Sequence, residues 1–398
     1  MKHNRRRQHL EGILPGKKAL VVASVASMIS QFLLPDIRLL QELGYEVHVM
    51  CNFKKGNTCD CTHLEKLEKE LQNMQVVRHH WDCPRNIGCV LQCLRAFGQL
   101  WRLTGRQKFF LIHCHSPIGG VLARLAAHGR KIRVVYTAHG FHFYKGAPVK
   151  NWLLYYPVEK LLSYWTDVLV TVNREDFRFA EKNLSAGSVS RIPGVGIDTS
   201  CVRQMQSDRI LSEKYHIPPG AKILLSVGEL NRGKNHRMVI QALARLKERD
   251  VYYLICGQGR LKKELWRYAD RLGVARRIRM PGYQEAIQQI YPYVDIFVFP
   301  SVREGMPVAL MEAMAAGLVC VVSDIRGNRE LITDKRLRFS TEDPGKLARV
   351  LEKLLADPQL RYVCGKRNQK KIQGYSREIV LQKMRKLYQD MEKRSASE

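Results

Sequence analysis

The chain has 398 residues, enough for two domains of about 200 residues each, and 45% apolar content with 28 glycines and 15 prolines is that of a globular protein, not a fibrous or disordered one. A formal charge of +29, from 66 Lys and Arg against 37 Asp and Glu, calls for anionic company: phosphorylated substrates, acidic lipid headgroups or nucleic acid. No apolar run reaches the ~18 residues of a membrane span, and the basic start Met1-Lys2-His3-Asn4-Arg5-Arg6-Arg7 leads into no apolar stretch of a secretory signal, so a cytoplasmic location is expected.

In chain order, residues 18–24 read as a buried first strand and 31–43 as a helix of apolar helical spacing stopped by Gly44. A strand at 45–50, a charged helix at 62–74, a strand at 75–80 and a helix at 87–103 follow. Then come a strand at 109–115, a helix at 117–128, a strand at 132–137, a helix at 151–165, a strand at 167–172 and a helix at 174–183. Strands and helices in strict turn predict an α/β domain whose parallel sheet is covered on both faces. Ligands of such sheets lie beyond the carboxyl ends of the strands. Two of those ends are rich in histidine: His113-Cys114-His115-Ser116, and Thr137-Ala138-His139-Gly140-Phe141-His142-Phe143-Tyr144-Lys145-Gly146. The second has no alternating pattern, as expected of a loop shaped around a ligand. For His113, His115 and His142 the better reading is a packed loop whose imidazoles satisfy backbone carbonyls.

Arg191-Ile192-Pro193-Gly194-Val195-Gly196-Ile197-Asp198 breaks the periodicity near mid-chain and is the predicted hinge. Beyond it, strands at 221–228, 251–256, 278–280, 295–299 and 318–323 with helices between them predict a second parallel-sheet domain. After about Pro344 the chain is helical, ending in a basic amphipathic helix over 376–391. The expected division is 1–197, 198–375 and a last helix, 376–398, packing back on the first domain. Two such domains facing each other make a cleft whose closure excludes water.

Gly228-Glu229-Leu230-Asn231-Arg232-Gly233-Lys234-Asn235 follows the first strand of the second half and precedes a helix, so two cations sit where backbone N–H groups also point. It lacks the Walker A pattern, and neither domain has G-x-G-x-x-G after its first strand, which argues against ATPases and most nicotinamide enzymes. Cys256-Gly257-Gln258-Gly259-Arg260 reads as a tight chain reversal. The cations are spread over many helices without an RNP-like aromatic stretch, so nucleic acid is not expected. A basic face gains on the order of 1 kcal/mol per charge near anionic lipid, and an anionic membrane surface is the expected partner. Of 11 cysteines, Cys51, Cys114, Cys256 and Cys320 lie in apolar elements; Cys59-Asp60-Cys61 with His63, and Cys83, Cys89 and Cys93, reproduce no paired C-x2-C spacing, so no metal site is expected there.

The chain is organised around Arg303-Glu304-Gly305-Met306-Pro307-Val308-Ala309-Leu310-Met311-Glu312-Ala313-Met314-Ala315-Ala316-Gly317. Apolar runs flank it, so it reads as strand, polar loop, helix and buried strand, with Pro307 at the first helical position and Gly317 at the stop. The helix start offers free N–H groups and a positive dipole end to an anion. Were the whole interval helical, Glu304 and Glu312 would stand about 12 Å apart along the axis, beyond the ~5–9.5 Å of a glycosidase pair. Two separate contacts on one extended ligand, each carboxylate taking hydroxyls of a ribose or hexose, fit better; two solvated helix-end acids fit the spacing equally.

Glu304 to Glu312 resembles the E-x7-E motif of the family four retaining glycosyltransferases, which have the GT-B fold of two facing Rossmann-like domains with an interdomain cleft. The resemblance covers nearly the whole chain. The loop 137–146, Tyr156-Pro157-Val158-Glu159-Lys160 and Ile192-Pro193-Gly194-Val195-Gly196-Ile197-Asp198 are similar to a bacterial branch that builds exopolysaccharide and capsule. The resemblance implies an acceptor-side first domain and a second domain that holds a nucleotide-diphosphate sugar, in the first instance a UDP-sugar. By position Glu312 would bind the ribose, while Glu304 and the loop Gly305, Met306, Pro307 and Val308 would face the donor sugar and diphosphate. Lys234 matches the family's diphosphate lysine, beside Gly228; His139 matches a histidine at the donor sugar near the reacting carbon; Gly282 and Tyr283 fall where the base is contacted. Many members carry Arg after the glycine corresponding to Gly228. Here it is Glu229, and Arg232 is the candidate substitute.

The implied reaction is hexosyl or N-acetylhexosaminyl transfer with retention to a polyprenyl-diphosphate-linked saccharide at the inner face of the cell membrane. No D-x-D occurs, so no divalent metal and no cofactor are expected. A nucleotide-sugar epimerase or hydrolase on the same fold, or a basic membrane- or nucleic-acid-binding scaffold, are the rival readings.

Overall fold

Runs such as Ala19-Leu20-Val21-Val22-Ala23 and Ile296-Phe297-Val298-Phe299 have no polar face, and such strands are stable only where a sheet is covered on both sides. In the computed structural model, which describes residues 17–55, 61–84, 88–200 and 213–396, all nine of these residues are at most 1% exposed. The basic N-terminal run, Cys59 and Asp60, and the expected helix start at Ile87 lie outside the described residues.

The described residues up to Ile192, together with those from Leu381 onward, form one compact unit, and those within Pro193–Val380 form a second. The first contains β1 (Lys18–Val25), α1 (Leu34–Glu42), β2 (Glu46–Asn52), α2 (Cys61–Asn73), β3 (Val77–His80), α3 (Val90–Arg106), β4 (Phe109–His115), α4 (Pro117–His128), β5 (Arg133–Ala138), α5 (Val149–Ser163), β6 (Val168–Thr171), α6 (Arg174–Asn183) and β7 (Ser188–Arg191). Its sheet runs β3-β2-β1-β4-β5-β6-β7, all parallel. The strand order reverses between β1 and β4, which makes their carboxyl ends the switch point where ligands of such sheets bind. Between β1 and α1 the chain winds through a π-helical stretch, Ile29–Leu33, a geometry common at functional sites.

The second unit contains β8 (Lys222–Val227), α7 (His236–Arg245), β9 (Val251–Cys256), α8 (Lys262–Arg271), β10 (Ile278–Gly282), β11 (Ile296–Phe299), α9 (Val308–Ala315), β12 (Val319–Ser323), α10 (Arg326–Leu331), β13 (Arg338–Phe339), α11 (Pro344–Ala356) and α12 (Pro358–Ile372). Its parallel sheet runs β10-β9-β8-β11-β12-β13, with its switch point between β8 and β11. The last helix, α13 (Arg377–Ala396), starts in the second unit and ends in the first. There Tyr388 is fully buried, its hydroxyl 2.7 Å from His113 Nδ1, and Lys17 pairs with Glu392 at 3.2 Å.

Two strands escape the sequence pattern. β7 reads Ser-Val-Ser-Arg, half-buried at a sheet edge, and β13 has two residues. Neither carries an apolar run, because edge position relaxes the demand for two buried faces.

Candidate active site

In the second unit, three loops meet at the carboxyl ends of its strands. Gly228 follows β8 with φ +156°; its N–H donates to Cys256 O at 3.0 Å, and Gly257 N–H donates in turn to Gly282 O at 2.9 Å. A Cβ at Gly257 would stand 1.9 Å from Gly228 O, and one at Gly259 2.5 Å from Leu230 O. The 256–260 turn, read from sequence as simple reversal, is therefore the floor on which the 228–235 loop rests. Gly282 ends β10 at φ +92°, and Tyr283 beyond it is 39% exposed.

Arg232–Lys234 forms a single 3-10 turn whose first cap is Asn231, the side chain of which accepts from Lys234 N–H at 3.0 Å. Asn235 closes the turn in the left-handed region at φ +52°, a conformation asparagine tolerates better than most. The turn points Lys234 across the switch point: its Nζ donates to Glu304 Oε1 at 2.7 Å, and Val302 N–H donates to Gly233 O at 2.9 Å. Arg232 is exposed on the same turn, and so is Glu229 on the loop before it.

Glu304 and Gly305 lie in the loop after β11, and α9 begins at Val308 with Pro307 as its N-cap, so the helix starts one residue later than the sequence suggested. Pro307 O accepts from Met311 N–H at 3.1 Å, and proline has no N–H of its own. The donors that the loop and helix start can turn toward an anion are thus those of Gly305, Met306 and Val308. The loop is held from behind: a Cβ at Gly327, in the first turn of α10, would meet Gly305 O at 2.6 Å. Gly194, from the expected hinge, approaches Met306 and Met311 so closely that its Cβ would stand 3.1 Å from each. Glu312 is half-buried in the second turn of α9 and accepts from the Tyr291 hydroxyl at 3.3 Å; burial pushes its carboxyl above the ordinary value, and the tyrosine hydrogen bond only partly offsets this. Gly317 stops the segment at φ +75°.

The loop and helix start thus stand with Lys234 around one switch point, as do Gly228 and Gly282 through Gly257. His139 lies in the first unit, half-buried directly after β5, with Nε2 3.1 Å from His115 Nδ1. His113 Nε2 is 2.8 Å from Thr137 Oγ1, so His113 and His115 find side-chain partners, not the backbone carbonyls expected of them. Asn231, Gly257, Gly327 and Tyr291 are supports the sequence reading passed over. Only the Asn-x-x-Lys spacing of the capped turn was a usable signal, since the glycines depend on neighbours distant in sequence.

These imidazoles carry a consequence for pH. Burial pushes His139 and, on β3, His79 down to about 4 and His113 to about 3, and holds His115 well below its ordinary value. Their folded values lie below the unfolded ~6.5, so the neutral forms stabilise the first unit fully above that pH and the contribution is lost as pH falls toward 4. Asp36, raised to about 7 by burial, works in the opposite sense, but it is one group against four. Thermal melts should lose stability steadily between pH 6.5 and 4.5, by several kcal/mol in sum; a melting temperature flat over that range would contradict the buried neutral cluster.

Two parallel Rossmann-like units, with Lys234, Glu304 and a helix start gathered at the switch point of the second, are those of the GT-B glycosyltransferase fold. The family model for Glycosyl transferases group 1 matches residues 207–371 and that for Glycosyl transferase 4-like matches residues 20–173. The chain is 34% identical over 384 residues to "Putative glycosyltransferase EpsD" of Bacillus subtilis (strain 168), covering 94% of this chain and 96% of the relative. It belongs to this family of glycosyltransferases. It is also 28% identical over 318 residues, 77% of this chain and 82% of the other, to the UDP-Gal:alpha-D-GlcNAc-diphosphoundecaprenol alpha-1,3-galactosyltransferase of Escherichia coli. Among solved structures, HepE of Anabaena in complex with UDP and glucose superposes with a TM-score of 0.74 at 16% identity, covering 94% of this chain and all of the other, a likeness of fold.

Proposed function

We propose that this glycosyltransferase moves a hexose or N-acetylhexosamine from a UDP-sugar, with retention, to a polyprenyl-diphosphate-linked saccharide in bacterial exopolysaccharide or capsule synthesis. The observation that carries it is the 2.7 Å contact between Lys234 and Glu304, which sets a cation that suits a diphosphate directly beside the acid assigned to the sugar. The E. coli relative named for a diphosphoundecaprenol acceptor and the capsular polysaccharide biosynthesis relative CapM of Staphylococcus aureus, 22% identical over 373 residues, support the acceptor class and the setting. HepE bound to UDP supports the donor class. Among the described residues no helix is long and apolar enough to cross a membrane, so work at the inner membrane face is peripheral in this proposal, drawn there by the basic surplus.

In this reading Lys234, Arg232 and the N–H groups of Gly305, Met306 and Val308 stabilise the charge that develops on the leaving diphosphate, with no divalent ion required. Gly282 and Tyr283 flank the base, Glu312 takes the ribose hydroxyls, Glu304 faces the donor sugar, and His139 contributes near the reacting carbon as a neutral imidazole. The test is incubation with a labelled UDP-sugar and a polyprenyl-diphosphate saccharide, with and without EDTA. Label in the lipid-linked product is expected in both; free epimer or free sugar without product would favour the epimerase or hydrolase reading.

The two acids should separate kinetically. Hydrogen bonds to a charged carboxylate contribute about 1.5–3 kcal/mol, so Glu312→Gln should weaken UDP binding roughly tenfold or more. Glu304→Gln should lower kcat strongly and leave the UDP affinity nearly unchanged. Calorimetric titration of UDP with both variants checks this, and equal losses of affinity would remove the division of roles.

A further inference from the structure

We propose that the second unit carries a docking pocket for an acidic segment of a partner protein, one that inserts an apolar side chain between α11 and α12. The pocket measures about 190 Å³ and is floored by Val350 and Leu354 of α11, Leu360 and Cys364 of α12, and Leu337 of the 3-10 turn Lys335–Leu337. That volume falls short of the ~300–1,000 Å³ of small-molecule sites and suits a single anchoring side chain of the kind that dominates protein–protein contacts. The turn precedes β13, and Arg361 in the first turn of α12 reaches Asp295, just before β11, at 3.1 Å. The floor thus lies toward the amino ends of the strands, away from the carboxyl ends where Lys234 and Glu304 meet. This assignment is independent of the donor and the acceptor.

The rim is basic. Lys346, Arg349 and Lys353 recur at helical spacing along the face of α11 that carries Val350 and Leu354, and all three line the pocket and are exposed. Arg336 adds a fourth cation from the turn, paired with Asp334, the one acid in the lining, at 2.7 Å. The other acids nearby are engaged elsewhere. Glu352, the one acid of α11, accepts from Lys247 N–H at 3.2 Å, and Asp357 caps α12 by accepting from Leu360 N–H at 2.8 Å. Lys346 lies in the field of Asp324, but that carboxylate already takes Arg329 at 2.8 Å and Arg338 at 3.0 Å. Helix α12 carries no acid at all.

Charge and relief together select the occupant. Leu337, Leu354 and Cys364 are buried and Val350 and Leu360 half-buried, so the apolar floor is recessed below the exposed cations. A bilayer binds apolar groups that project into it, and these do not project. A free anion would meet the rim and gain nothing from the hydrocarbon. A second copy of this face would set cations against cations. An apolar side chain flanked by carboxylates, brought by another protein, meets both the floor and the rim.

The probe is a fluorescein-labelled peptide with a phenylalanine between two pairs of glutamates, titrated into the full chain by fluorescence anisotropy beside a peptide in which alanine replaces the phenylalanine. The phenylalanine peptide should bind, and the alanine peptide should bind more weakly by about tenfold or more. Arg349→Glu with Lys353→Glu, which reverses the rim, and Val350→Trp, which fills the pocket from a half-buried position, should each cost the phenylalanine peptide a similar factor and leave UDP affinity unchanged. Reversal of the exposed Lys263 to Glu should leave both affinities unchanged. The rim reversal alters exposed side chains alone and keeps the test decisive should Val350→Trp fail to fold. No binding at millimolar peptide, equal binding of the two peptides, or equal affinity in wild type and the rim-reversed variant would each overturn the proposal. So would an equal loss of binding to phosphatidylglycerol vesicles on rim reversal, which would make the rim a lipid surface, or a concentration-dependent dimer broken by that reversal, which would make it a contact between copies.

Discussion

Lys234→Ala should abolish UDP binding at millimolar ligand and lower sugar transfer by about 10²–10³-fold, the loss typical of removing one preorganised donor to a developing anion. The geometry makes the effect twofold. The alanine removes the cation that Asn231 and the 3-10 turn aim at the switch point, and it leaves Glu304, 2.7 Å from the lost ammonium, as an uncompensated negative charge at the proposed diphosphate site. Adding Glu304→Gln to Lys234→Ala should therefore restore part of the UDP affinity without restoring turnover. Lys234→Arg should keep affinity and lose rate, because a guanidinium replaces a compact ammonium in a turn built for the latter. The exposed Lys263→Ala is the charge control and should leave both unchanged. UDP titrations of the four variants with steady-state transfer rates decide the matter; a Lys234→Ala enzyme that binds UDP normally would remove the phosphate role.

The contrast between this site and its supports shows what a sequence discloses. Lys234, Glu304 and Glu312 were legible as candidates because they stand at short fixed spacings on strand-loop-helix patterns, and the fold brings Lys234 and Glu304 together. The alternation of buried strands and helices was legible because a parallel sheet must be covered on both faces. Gly257 and Gly327 were not, since their need for hydrogen in place of a side chain arises from Gly228 O and Gly305 O, backbone atoms over twenty residues away. The imidazole chain from Tyr388 through His113, and from His115 to His139, was equally hidden: it joins β4 and β5 to a helix 275 residues further on. Local pattern predicts elements; the packing of one element on another needs coordinates.

Arg124 and Glu159 give the sharpest case, and the largest expected effect on stability. The segment Tyr156-Pro157-Val158-Glu159-Lys160 stood out in the sequence by resemblance alone, with no role for its acid. In the fold Glu159 receives Arg124 Nη1 and Nη2 at 2.9 and 3.0 Å and the Tyr136 hydroxyl at 3.3 Å, and the guanidinium lies 4.0 Å from the Tyr136 ring centroid. Arg124 is 1% exposed, and its Nε is satisfied by Gly120 O at 3.0 Å. A pair this buried contributes little net stability when intact, but removing one partner strands a charge and costs about 3–5 kcal/mol. Arg124→Leu should thus lower the melting temperature of the first unit by roughly 6–20 °C, at ~2–4 °C per kcal/mol for a unit of this size. The double variant Arg124→Leu with Glu159→Leu should recover most of that loss, since the stranded carboxylate is gone. Calorimetric melts of the single and double variants test the account: a double variant no more stable than Arg124→Leu would show that the pair itself, and not the avoidance of a lone charge, holds the two helices together.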